Sequence, residues 1–243
     1  MQKRKQKLTA VSVVLLALLA PAAVYCSILF FSEGKSFYLP AVILIVLSIL
    51  PFLIRFERRK LKTGEIVVIA VAVASAVAGR AVMSFLPQVK PTAAVVIGTA
   101  TVFGPNVGFI TGALSMLISN FIFGQGIFTP FQMLGMGLVG FFGGLIFCGK
   151  PYANNRLAVS LTGAALTFLV YGGVVDSCSV LTMATDSAGV GPILASGTVF
   201  NLLHALNTAI LLFLLQKPLN DKLSRLRTKY GIFDDVKNGD IQP

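Results

Sequence analysis

The sequence predicts an all-α membrane protein, a six-helix bundle preceded by two further transmembrane helices. Three observations carry this. Of 243 residues, 56% are hydrophobic and only 12% charged, about half the charged share of a soluble domain. The mean hydropathy is +0.85. So little charge cannot cover a water-facing surface, but it suits a lipid-facing one. The apolar residues also gather into eight long runs separated by short polar or basic connectors. Runs of this length, without the alternation of barrel strands, read as helices.

The first run, Leu8–Phe31, follows the basic start Met-Gln-Lys-Arg-Lys-Gln-Lys. Its 24 residues are too many for a signal-peptide core and fit a spanning helix, so it reads as an uncleaved helix. Phe37–Ile54 is the second. Arg55–Glu65, with five basic residues, then divides this two-helix head from the body. The body spans are Ile66–Leu86, Thr92–Phe103, Val107–Phe123, Phe131–Phe147, Leu157–Val175 and Pro192–Leu215. Thr92–Phe103 is short: its 12 residues rise about 18 Å against a hydrocarbon core of about 30 Å. It reads as a re-entrant hairpin with the next helix or as a true span helped by burial or a thin spot.

Charge parity selects the span. With eight spans, 17 Lys and Arg residues fall on one side and two, Lys35 and Lys90, on the other, while Arg80 lies within a span. The crowded side is cytoplasmic by the positive-inside bias and holds both chain ends. Removing the short span would send the basic tail outside. The expected organisation is therefore a two-helix extension and linker over 1–63, a six-helix substrate-binding domain over 64–217, and a cytoplasmic tail over 218–243. The tail after Gln216 reads as a short amphipathic helix followed by disorder. The expected location is the cell membrane, with multiple passes. The long connector Ser177–Gly191 is expected outside.

Several function classes are disfavoured. The net charge of +11 lies in runs that mark a membrane side, not in a nucleic-acid-binding patch. Cys26, Cys148 and Cys178 fit neither a zinc site nor a disulfide framework and read as free thiols. No Gly-x-x-x-x-Gly-Lys-Ser/Thr loop is present, so ATP-driven work would need a partner. With one histidine, and with Asp176 and Asp186 the only acids on the outer half of the body, no acid–base set emerges. The protein reads as no enzyme, with no metal or cofactor.

The polar residues inside the spans gather toward the outer side. Arg80 is costly in lipid and must face a partner or a cavity: an ion pair with Asp176 or Asp186, or a ligand anion. The connectors Pro87–Pro91 and Phe123–Gln132 mix glycine, proline, aromatics and amides. That combination offers close backbone approach, flat apolar faces, donors and acceptors. It suits a large, partly polar ring system. Asn201, His204 and Asn207 follow along one side of the last helix, where His204 serves either packing or a ligand. The candidate binding residues are Arg80, Lys90, Asn120, Phe123, Gln125, Phe128, Gln132, Asp176, Asn201 and His204. Ala70, Ala74 and Ala78 repeat every four residues, beside a second row of Ala72 and Ala76. Small residues so spaced admit another helix closely, from this chain or from a partner. Gly104, Gly108 and Gly112, with Gly140 and Gly144, read as internal packing ridges.

The runs Ala78-Gly79-Arg80-Ala81, Leu86–Thr92, Gly112–Ser115, Ser119-Asn120-Phe121, Phe123–Gly126 and Thr129–Met133 resemble the substrate-binding S components of energy-coupling factor (ECF) vitamin transporters. The likeness covers about Glu65–Gln216 and is nearest to the cobalamin-type subgroup. It implies a six-helix body that binds a vitamin from outside. It also implies docking on a transmembrane coupling subunit that carries two ATPases, with Ala70, Ala74 and Ala78 on the docking face. Two features depart from the pattern: the extra helices of Leu8–Ile54, and Phe128 and Phe131 where the subgroup often has tryptophan. Cobalamin or a related corrinoid is the first substrate expected. A queuosine precursor, another vitamin or a vitamin fragment is the alternative. A stand-alone secondary transporter would want an ion-coupling acid at mid-membrane. A membrane scaffold would not need the polar connectors.

Overall fold

A computed structural model of the chain describes residues 62–86, 89–184 and 187–233, with isolated positions 43, 46 and 49. The expected spans Leu8–Phe31 and Phe37–Ile54 lie outside these residues apart from those three positions, as do Cys26, Pro87, Gln88 and Asp186. Every regular element among the described residues is helical. They form α1 (Thr63–Val82), α2 (Thr92–Phe103), α3 (Pro105–Phe123), α4 (Thr129–Phe147), α5 (Arg156–Met183) and α6 (Ser187–Tyr230). All but α2 are long and apolar enough to cross a membrane. The protein is an all-α membrane protein.

The short α2 is the centre of the bundle. Every one of its residues except Val95 is buried, with α1, α3, α4 and α6 packed around it. A helix shielded from lipid on all sides need not match the bilayer thickness by itself, because its ends are satisfied within protein. Glycines set the closest approaches. A Cβ on Gly108 would overlap the Gly140 carbonyl oxygen, and one on Gly144 would overlap the backbone at Gly104–Pro105. The α3–α4 seam is thus a backbone-to-backbone contact, the close packing that small residues permit in membranes. In α1 the two alanine rows separate: Ala72 and Ala76 are buried, whereas Ala70, Ala74 and Ala78 are exposed.

Two elements differ from the sequence expectation. Ser177–Gly191 is no long connector: α5 runs to Met183 and α6 begins at Ser187. The small polar residues that suggested a loop return their hydroxyls to the helix backbone. Ser177 donates to Gly173 O and Thr182 to Cys178 O, at 2.6 and 2.8 Å. That pattern lets hydroxyl residues sit inside an apolar helix. Asp176 therefore lies on a helix. Second, α6 continues without a break from the apolar span through residue 217 to Tyr230, 44 residues in all. At about 1.5 Å per residue this is near 66 Å, roughly twice the hydrocarbon thickness.

The overhang is tied back to the bundle. Gly231, at φ 58°, turns the chain after Tyr230, and Ile232 N bonds Arg227 O at 3.1 Å, the wrap that closes many helix C-termini. Arg227 Nη1 donates to Val102 O at 2.8 Å, and the Phe233 ring packs 5.2 Å from Phe103. Phe233 N donates to Glu65 Oε1 at 2.9 Å. The buried Glu65 thus ties the start of α1 to the segment after α6, which Arg227 and Phe233 hold against the end of α2.

Candidate functional site

The last turns of α1 and α3 and the first turns of α2 and α4 share one end of the bundle, beside the stretches of α5 and α6 that carry Tyr171, Asp176, Asn201, His204 and Asn207. That end holds the polar cluster. Arg80, in the last turn of α1, donates through Nη1 to Ser119 Oγ and to Asn120 Oδ1, the latter at 3.1 Å. Its guanidinium lies 4.8 Å from the centre of the Phe123 ring, within cation–π range. Asn120 in turn donates through Nδ2 to Gln132 Oε1 at 2.8 Å and to Thr129 Oγ1 at 3.0 Å. Thr129 donates to Gln125 Oε1 at 3.0 Å, and Gln125 Nε2 reaches the Leu117 carbonyl at 3.0 Å.

Arg80, Asn120, Gln125 and Gln132 therefore belong to one network threading α1, α3, the α3–α4 connector and α4. Asn120 accepts from Arg80 at Oδ1 and donates from Nδ2 to both Gln132 and Thr129, so the buried side chain is well satisfied. Such networks hold their members in one arrangement. The Arg80 charge meets neutral acceptors, not a carboxylate. Of the two readings for Arg80, the ion pair with Asp176 is not formed: Asp176 instead accepts at Oδ2 from Asn201 Nδ2 at 2.6 Å. Asp186 lies outside the described residues. The Asp176–Asn201 pair sits where α5 and α6 meet, in space left by glycines. A Cβ on Gly172 would strike the Asn201 amide, and one on Gly197 would strike the Asp176 carboxylate.

Lys90 lies in the connector before α2, and its carbonyl accepts from Asn207 Nδ2 at 3.2 Å. Burial, with the charge of Arg80 adding, holds the Lys90 ammonium below the usual lysine pKa range. Two cations close enough to repel each other favour an anionic or strongly dipolar ligand. Phe128 is half-buried at the start of α4 and packs on the core. His204 is buried, its ring edge-on to Tyr171 at 5.2 Å, and its Nε2 has no hydrogen-bond partner. Phe121 to Ile127 form the exposed rim of the cluster.

Sequence reasoning left four members of this region out of the candidate set. Ser119 and Thr129 are first partners in the network. Met116 lies 3.7 Å from Arg80 Nη1 and 4.0 Å from the Tyr171 hydroxyl, linking the network to His204. Tyr171 stands in the π-helical turn Thr167–Gly172 of α5, a feature common at functional sites. Thr129 carried a signal: a hydroxyl beside Pro130 at a helix start. Met116 carried none.

The fold and this cluster define a class, a helical membrane protein with a charged polar network held at one end of its bundle. A family profile described as "ECF-type riboflavin transporter, S component" matches residues 60–221. The chain belongs to this family of S components. Comparison with curated proteins and with solved structures gave no significant match.

Proposed function

We propose that this chain is the substrate-binding subunit of an ECF-type vitamin importer and holds its vitamin at the Arg80 end of the bundle. The observation that carries this reading is the Arg80–Asn120–Gln132 network, a half-buried cation on neutral acceptors beside the exposed rim of Phe123 and Gln125. A cation in an apolar bundle is costly, so its presence there marks a functional position. In this reading the Arg80 end faces outward and both chain ends face the cytoplasm, supported by the 17-to-two division of basic residues. The exposed row Ala70, Ala74 and Ala78 receives the coupling subunit, through which two ATPases drive delivery. The chain itself performs no catalysis.

The substrate we propose is cobalamin or a related corrinoid. Support comes from the connector Phe123–Met133, whose residues resemble the cobalamin-type subgroup. Its amides also match the chemistry of an amide-rimmed macrocycle bearing a phosphate, with Arg80 and Lys90 for the anion. A second reading, riboflavin, is favoured by the description of the matching family.

Equilibrium binding to the purified protein separates the two. Cobalamin is expected to bind one-to-one and riboflavin to fail as a competitor; the reverse order would replace the corrinoid by the flavin. Asn120→Ala and Gln125→Ala are each expected to weaken binding by about 1–3 kcal/mol. Unchanged affinity in both, with thermal melting intact, would place the vitamin elsewhere.

A further inference from the structure

The end of the bundle opposite Arg80 carries a cavity of about 440 Å³ between the start of α5 and the middle of α6. Asn154 and Arg156 line one wall; Gln216, Lys217, Asn220 and Asp221 line the other. Asn220 Nδ2 donates to Asn154 Oδ1 at 2.7 Å, which ties the walls together. Gln216 is almost fully buried. Thr101 spends its hydroxyl proton on Gly98 O and so must accept from Gln216 Nε2, at 2.7 and 3.2 Å respectively. That fixes the amide orientation and leaves Gln216 Oε1 without a partner. Two cations against one carboxylate give the cavity a positive balance.

Its depth is informative. Along α6 the apolar stretch 209–215 gives way at Gln216 to Lys217, Asn220, Asp221 and Lys222. The cavity therefore lies where the hydrocarbon region ends. Toward the apolar part of the same two helices, Leu157 and Leu161 of α5 and Phe213 of α6 stand exposed; Leu157 follows Arg156 directly and Phe213 precedes Lys217 by one helical turn. A charged cavity at this depth, flanked by exposed apolar side chains, matches an amphiphile with an anionic head and an apolar tail. Basic cavities between transmembrane helices take lipid head groups in this way.

We infer that this cavity seats the phosphodiester head group of an anionic phospholipid, with Arg156 and Lys217 on the phosphate and the acyl chains along Leu157, Leu161 and Phe213. The seat is independent of the vitamin. It bridges α5 and α6, the two helices that carry Asp176, Tyr171, Asn201 and His204 at the other end.

The test is native mass spectrometry of the full chain released from membranes of mixed phosphatidylglycerol and phosphatidylcholine. The wild type is expected to retain one phosphatidylglycerol in preference to phosphatidylcholine. The exposed pair Arg156→Gln with Lys217→Gln should cut that retention by roughly 30-fold, from two basic contacts of about equal strength. Lys222→Gln, an equal charge change on the same helix outside the cavity, should leave it unchanged. Equal loss in Lys222→Gln would reduce the effect to general surface charge and overturn the site. Occupancy by inorganic phosphate alone, with no preference among lipids, would overturn the lipid assignment.

Discussion

Alanine at Gly108 or Gly140 is expected to abolish, or nearly abolish, recovery of folded protein. Each new Cβ would overlap the facing helix's backbone carbonyl, Gly140 O or Gly108 O, and backbone cannot turn aside as a side chain can. The seam must open, and with it the contacts by which α3 and α4 enclose α2. Ordinary overpacking costs about 1–3 kcal/mol; displacing a backbone seam should exceed that, against a total stability of about 5–15 kcal/mol. Gly143 supplies the control on the same helix. The atoms nearest its added Cβ would be those of the Ile97 side chain, at 3.5 Å and beyond, an ordinary contact. Gly143→Ala should therefore purify and melt like the wild type. Detergent-phase melting of the three variants checks this, and equal behaviour of all three would refute the close seam.

Tryptophan at Ala74 is expected to stop vitamin uptake while leaving binding by the isolated protein intact. Ala74 is exposed on α1, between Ala70 and Ala78, on the side away from the buried Ala72 and Ala76. An indole there can lie in lipid without touching the bundle or the Arg80 network. It would, however, hold off any helix that uses the small-residue row for close approach. Uptake in cells supplied with the coupling subunit and ATPases should fall to the level of cells lacking the protein. Binding of vitamin to the purified variant should match the wild type. Normal uptake would remove this face from docking.

Much of the fold was legible because membrane helices are written in uninterrupted apolar runs. Thr92–Phe103 emerges with the bounds of its apolar run. The glycine ridges also lie where their spacing placed them, on facing helices. What the sequence hid were choices between partners. Hydroxyl residues from Ser177 to Thr182 read as loop, and only the neighbouring turn reveals that they bond within a helix. Arg80 offered two carboxylates as partners along the chain, yet three-dimensional packing puts Asn120 and Ser119 against it and gives Asp176 to Asn201. The π-helical turn at Thr167–Gly172 left no trace in an apolar run, so Tyr171 went unmarked. The length of α6 was hidden for a similar reason. The end of hydrophobicity at Gln216 marks where the apolar span stops, not where the helix stops.

The central claim is that the chain binds a vitamin by itself but transports it only with an ATP-driven partner. Purified protein reconstituted into liposomes, with and without a coupling subunit and its ATPases, tests it most directly. Radiolabelled vitamin should bind the protein alone, one-to-one and without ATP, and should accumulate inside only when the partner module and ATP are both present. Accumulation by the chain alone, driven by an ion gradient, would contradict the account and make the protein a secondary transporter.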